Sequence, residues 1–154
     1  MSTSTPKPAT QAAETLILSL DPSVSLQDQV ARGKYGYVNP NYTPDNFRLT
    51  APAAKREVVL YDPRGYVSSE EMIARMKADG NKPAGIDDCL AMGAQHPERQ
   101  RRNPIVFLGT VWCDSVGSRR VPVLDGWNGG RWLFLCWFVG DWVGGCRFAA
   151  VRES

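Results

Sequence analysis

The chain has 154 residues, 43% of them apolar and 22% charged, with a formal net charge of +2; this is the size and make-up of one domain with a real core. It carries no strongly basic face that would argue for nucleic acid and no run of about 18 apolar residues that could cross a membrane. Four cysteines without a CxxC pair, and the single histidine His96, argue against a structural zinc site, a disulfide scaffold and Ser-His-Asp chemistry.

Residues 1–20 are rich in Ser, Thr, Pro and Ala and are expected to be disordered or loosely attached. Their apolar core is too short, and their start too uncharged, for a signal peptide. Residues 21–56 hold a short helix and a wrapping segment. Ser25 opens the helix, SLQDQVARG, and Gly33 closes it. KYGYVNPNYTPDNF then reads as an irregular wrap around a core.

A main domain is expected over 57–154. EVVLY (57–61) reads as a strand and 62–65 as a turn. A helix runs from Ser68 to Asp79, with Ser68 and Glu71 as a capping box, an apolar face of Met72, Ile73 and Met76, and Gly80 as its end. A second helix covers Ile86 to Gln95, with Ile86, Cys89, Leu90 and Gly93 on one face. His96 reads as a cap, Asp87 and Asp88 as partners of the helix dipole, and Glu98–Arg102 as a solvated turn. From Pro104 the period changes to that of strands, at 105–108, 121–124, 132–138 and 147–151, with loops at 115–118, 125–130 and 139–145. The fold class is therefore α+β.

The composition splits sharply along the chain. All five Trp lie between Trp112 and Trp142, and three of the four Cys (Cys113, Cys136 and Cys146) fall in the same late part of the chain. Residues 1–103 contain 5 Lys, 5 Glu, 5 Gln and 4 Met, whereas 104–152 contain none of these types. Buried strands deplete Lys and Glu. They do not readily remove Gln and Met as well while Arg, Asp, Ser and Asn persist.

Within WLFLCWF, Leu133, Leu135 and Trp137 point one way; Trp132, Phe134, Cys136 and Phe138 point the other. One set is core. The other is either a second buried layer or an exposed aromatic patch. VGDWVGG (139–145) is either a mobile connector or a recognition loop displayed by a rigid sheet.

The segments PIVFLGTVWCDSVGSRRVPVL, RWLFLCWF and RFAAVR resemble the variable proteins of diversity-generating retroelements. KYGYVN and AMGAQHPE add to the likeness, which spans roughly 25–152; Ala149, where a larger apolar residue is usual, and the tail Glu153–Ser154 depart from it. The resemblance implies a C-type lectin-like fold, with two helices on small antiparallel sheets and long loops. It also implies a hypervariable C-terminal region at about 105–152, in which error-prone copying at adenines turns Asn-type codons into NNY codons. Such codons encode no Lys, Glu, Gln, Met or Trp, in keeping with the missing types, and the tryptophans would then be scaffold.

On that basis a fixed core phase is expected at Val121, Leu133, Leu135, Trp137 and Val151, with Trp112, Gly117, Arg131, Trp142, Arg147 and Phe148 also in the scaffold. Arg147 is expected to pair with a carboxylate or carbonyls. Variable, ligand-facing positions are expected at Val111, Cys113, Asp114, Ser115, Val116, Ser118, Arg120, Asn128, Gly130, Phe134, Cys136, Val139, Gly140, Asp141, Val143, Gly144, Gly145 and Cys146.

The expected function is non-catalytic recognition of a protein or glycan, with no cofactor, no metal and no nucleic-acid partner. A homo-oligomer is left open, and the location is cytoplasmic or phage-associated. Two other readings stand beside it. One is an enzyme of the formylglycine-generating type using Cys113, Cys136 or Cys146; the other is a structural or assembly protein.

Overall fold

The computed structural model describes residues 11–152. The elements are β1 Gln11–Leu20, α1 Leu26–Arg32, β2 Tyr37–Val38, β3 Ala54–Asp62, β4 Val67–Ser68, α2 Ser69–Ala78, β5 Asn81–Pro83 and α3 Ile86–Gln95. They continue as α4 Arg99–Arg102, β6 Ile105–Val106, β7 Trp112–Cys113, β8 Arg119–Trp127, β9 Gly130–Trp137, β10 Asp141–Trp142 and β11 Arg147–Arg152. The protein is α+β and mostly sheet. Among the described residues no helix is long and apolar enough to cross a membrane.

One mixed sheet runs β1-β3-β11-β6-β8-β9-β2, with β5 added on β11 and β7 on β8; β10 and β4 form a separate ribbon. The pairs β11–β6 and β2–β9 are parallel. The sheet is therefore large and mixed, not the small antiparallel sheets expected from the sequence.

Its central strands are buried on both faces. Leu60, Ile105, Leu124, Leu133, Leu135 and Ala149 face α3, while Tyr61, Val106, Val121, Val123, Phe148 and Ala150 share the other core with Met72 and Met76 of α2. This is why 104–152 reads as strands with little polar alternation.

The helix signals hold in detail. Ser25 Oγ accepts from the Asp28 N–H at 3.1 Å, and Ser68 Oγ from the Glu71 N–H at 3.1 Å. The reciprocal arm of the capping box at Ser68 is missing, because the Glu71 carboxylate pairs with Arg75 instead. Asp87 and Asp88 do more than favour a dipole. Both are buried, and Asp87 Oδ2 accepts from the Thr50 and Ala51 N–H groups. Asp88 caps Gly85 N–H and pairs with Arg56 at 3.0 Å.

Two expectations are corrected. Residues 11–20 form an edge strand paired along β3, and only 1–10 of the expected disordered tail lie outside the described residues. Leu16, Leu18 and Leu20 supply an alternating apolar face that the Ser/Thr/Ala-rich surroundings mask. Gln95 fastens the strand by donating to Ser19 O and accepting from Ser19 N–H, at 2.8 and 2.9 Å. The run at 98–102 is likewise not a solvated turn, since Arg99 and Gln100 are buried. Arg99 pairs with Glu14, and Gln100 donates to Asp125 O and Trp132 O.

The segment expected to wrap a core also supplies part of it, since Tyr42 and Phe47 are buried there. Tyr35 lies so close to the backbone that a Cβ on Gly93 would stand 1.8 Å from its hydroxyl oxygen, and one on Gly33 2.2 Å from its ring. The Tyr35 hydroxyl is buried without a hydrogen-bond partner. Gly93→Ala is therefore expected to cost about 1–3 kcal/mol in urea unfolding. Tyr35→Phe alone should be near neutral, since it removes an unpaired polar atom. Combined with Gly93→Ala, it should recover part of the loss. Additive effects in the double variant would contradict this packing.

Candidate functional site

The C-terminal part of the sheet is a three-stranded ribbon, β7-β8-β9, whose free end projects beyond the layer that covers Leu133 and Leu135. At that end Trp112 pairs with Arg120, and Arg120 with Trp137. Asp114 builds the turn between β7 and β8. Its Oδ1 accepts from Val116 and Ser118 N–H, and its Oδ2 holds Arg120 Nε at 2.9 Å. The bond from Ser118 N–H, with Arg120 beside it, holds the Asp114 carboxyl below the usual carboxylate range. The Arg120 guanidinium lies 4.7 Å over the Trp137 ring.

Residues 138–146 fold back over the outer core. This segment is not a mobile connector. Its β10 pairs with β4, and Trp142 is buried beneath it. Trp142 Nε1 donates to Ser69 Oγ at 2.9 Å, and Ser69 Oγ donates to Phe138 O at 2.7 Å. Between this strap and the sheet lies a cleft of about 340 Å³, lined by Pro104, Val123, Asp125, Cys136, Trp137, Val139, Gly140, Asp141, Trp142, Val143 and Cys146.

The structure brings most of the expected ligand-facing residues to this end. Val111, Cys113, Ser115, Val116, Val139, Asp141, Val143 and Gly144 are exposed; Ser118, Arg120, Phe134 and Cys136 are half-buried. Phe134 belongs to an aromatic trio with Tyr37 and Trp132, whose ring centroids are 5.7–6.1 Å apart. The outward set of β9 is thus neither fully buried nor bare.

Several positions depart from the expectation. Cys146 is buried in the core that also holds Phe148 and Val106. Asp114 is committed to its own turn. Gly140 and Gly145 have φ of +100° and +97°, where any side chain is strained. Asn128 and Gly129 form the tight Asn-Gly turn joining β8 to β9, with φ of +53° and +83°. That turn, with Gly130, sits at the far end of the hairpin, about 25 Å from Trp137 at strand rise. Asn128 and Gly130 therefore stand apart from the rest.

The tryptophans also divide. Trp142 is scaffold, as are Arg131 and Phe148, and Arg147 pairs with Asp62 at 3.5 Å. Trp137 and Trp127 are 59% and 67% exposed, so they are not core. Trp137 has the alternation phase of Leu135, but it lies past the edge of the covering layer. Asp125 was not singled out by sequence, which put it at the start of a loop over 125–130; it lies instead within β8, and only the folding back of 138–146 makes it a cleft residue.

Among the described residues no group of three His, Cys, Asp or Glu side chains is placed to hold a metal ion. Burial, with the Asp125 charge added, pushes the Cys136 and Cys146 thiols up to about 11. Alkylation by iodoacetamide should therefore label exposed Cys113 first. Cys136 and Cys146 should react slowly at neutral pH, with rates that climb as pH approaches 11. The same shifts work against the fold at high pH. The unfolded chain releases these protons at lower pH than the folded one, so stability is full below about pH 9 and falls as pH rises toward 11. A fast-labelling Cys136 or Cys146 at pH 7 would overturn this picture.

No family model matches the chain, and neither a curated protein nor a solved structure does.

Proposed function

We propose that the protein is a non-catalytic recognition module with a C-type lectin-like architecture, of the kind diversified by a retroelement. Its ligand-binding face is the free end of the β7-β8-β9 ribbon together with the 138–146 strap.

One observation carries this reading. Solvent-facing surface normally collects Lys, Glu and Gln. The face made by 111–118, 137 and 139–145 is largely exposed, yet it belongs to a stretch of 49 residues without any of these types and without Met. Burial accounts for the depletion in the central strands but not at these positions. Restriction to NNY codons accounts for both the missing types and the Ser, Asp, Val, Cys and Gly that stand there. Six of the nine exposed large apolar residues also fall between Val111 and Val143, the pattern of an interaction surface. The raised thiol pKa of Cys136 and Cys146 speaks against a nucleophilic cysteine in the cleft.

Sequencing the gene and its flanks tests the proposal. The expected result is an imperfect repeat of the 3′ coding segment, differing mainly at adenines, beside a reverse transcriptase gene. An isolated gene with no repeat would remove the reading.

A further inference from the structure

We infer that the cleft under the 138–146 strap is a receptor for a single cationic side chain, arginine or lysine, carried by a protein ligand. The inference rests on taking this face as the ligand-binding one and adds the class of group that it takes.

The cleft is apolar in body and acidic in charge. Val123, Val139, Trp142 and Val143 supply its walls, with Trp137 at the edge and its indole stacked on Arg120; its charged lining residues are Asp125 and Asp141, with no Lys, Arg or His among them. Neither carboxylate has an ion-pair partner among the described residues. Asp125 Oδ1 accepts from the Gly126 N–H at 2.7 Å, which leaves Oδ2 free. Of the arginines on this end of the sheet, Arg120 is paired with Asp114 at 2.9 Å and Arg147 with Asp62 at 3.5 Å, while Arg119 stacks on the Phe138 ring at 4.5 Å.

A half-buried carboxylate without a counter-ion, set in an apolar wall, is costly unless a positive group comes to it. A long aliphatic stem ending in a cation satisfies both parts of the lining. The stem lies along the valines and the Trp142 indole, and the head reaches the carboxylates. The volume of about 340 Å³ is near the small end of ligand pockets, about 300–1,000 Å³, and suits one side chain better than an oligosaccharide. Asp125, Trp137 and Trp142 lie outside the positions expected to vary, whereas Val139, Asp141 and Val143 lie inside them. On that reading Asp125 is the constant carboxylate, while Asp141 and the valine rim are adjustable.

The test is a titration of the ¹⁵N-labelled full chain, following the indole N–H signal of Trp142 and the backbone N–H signals of 139–143. N-acetylarginine amide is the probe, N-acetylcitrulline amide its neutral isostere, and N-acetylglucosamine the sugar control. Saturable shifts with the arginine probe are expected, with the citrulline compound at least about tenfold weaker and the sugar silent. Added salt should weaken the binding. Asp125→Asn and Asp141→Asn should each weaken it as well. Equal binding of arginine and citrulline, shifts with the sugar alone, or no saturable shift with the arginine probe would each overturn the inference. The isostere comparison uses the unaltered protein, so it holds even if a variant folds poorly. A genome without the repeat would remove diversification and leave this titration unaffected; a silent titration would leave the repeat unaffected.

Discussion

Replacing Arg131 by methionine is expected to cost about 3–5 kcal/mol of folding stability, enough to unfold much of the protein at 37 °C. The side chain is 6% exposed and has no ion-pair partner among the described residues. Its guanidinium instead joins three separate segments. Nε donates to Pro97 O at 2.8 Å, Nη1 to Gly33 O, and Nη2 to Gly93 O at 2.6 Å and to Gln100 Oε1 at 3.0 Å. The guanidinium also lies 5.0 Å over the Tyr35 ring. Methionine keeps the stem but strands four acceptors, three of them in buried bonds that each cost about 1–3 kcal/mol before relaxation. Lysine should not restore the stability. A point charge with three donors cannot reach acceptors spread over α1, α3 and α4 in one plane. Urea unfolding of both variants checks this; a lysine variant within about 1 kcal/mol of wild type would show that the charge matters and the fork does not.

The second large contrast is between face and frame. Substituting Val111, Cys113, Val116, Val139 and Val143 together with Ser, Asn, Asp or Tyr should change stability by about 0.5 kcal/mol or less per site, because these side chains stand in solvent. Leu133→Ala alone should cost about 2–5 kcal/mol, and Phe148→Ala about 3–5 kcal/mol, since both are fully buried in the sheet's two cores. Thermal or urea denaturation of the five-fold variant beside the two single variants is the measurement. Cooperative unfolding of the five-fold variant close to wild type is the expected outcome. If it loses more stability than Leu133→Ala does, the face is part of the frame and cannot be freely rewritten.

Trp142 marks the junction of the two regions. Trp142→Ala should release the strap, since it removes both the indole wedged against Phe148 and the bond to Ser69 Oγ. The expected signature is fast amide exchange confined to 138–146 at neutral pH, ahead of global unfolding. Uniform exchange across the sheet would place Trp142 in the global core instead.

Much of this architecture can be read from the chain alone. Caps at Ser25 and Ser68, the α3 boundaries and the strand centres at 105–106, 121–124, 132–137 and 147–151 follow from local chemistry, because each depends on neighbours within one or two turns; β7, β10 and the run of β8 through 125–127 do not. The separation of Phe148 and Arg131 from exposed Val116 and Val139 is legible too, since pattern and composition both carry it. What stayed hidden depends on distant partners. Strand β1 exists because β3 offers an edge and Gln95 bonds to its backbone. Gln100 is buried because Arg131 and two carbonyls converge on it. Trp137 is exposed, although it shares the phase of Leu135, because alternation says which side a residue faces but not how far the covering layer extends. The cleft with Asp125 in its wall arises only when residues 138–146 are pinned by Trp142 to α2. No local rule contains that contact, and so the exposed, Lys- and Glu-free surface was legible in the sequence while its concavity and its charge were decided by the fold.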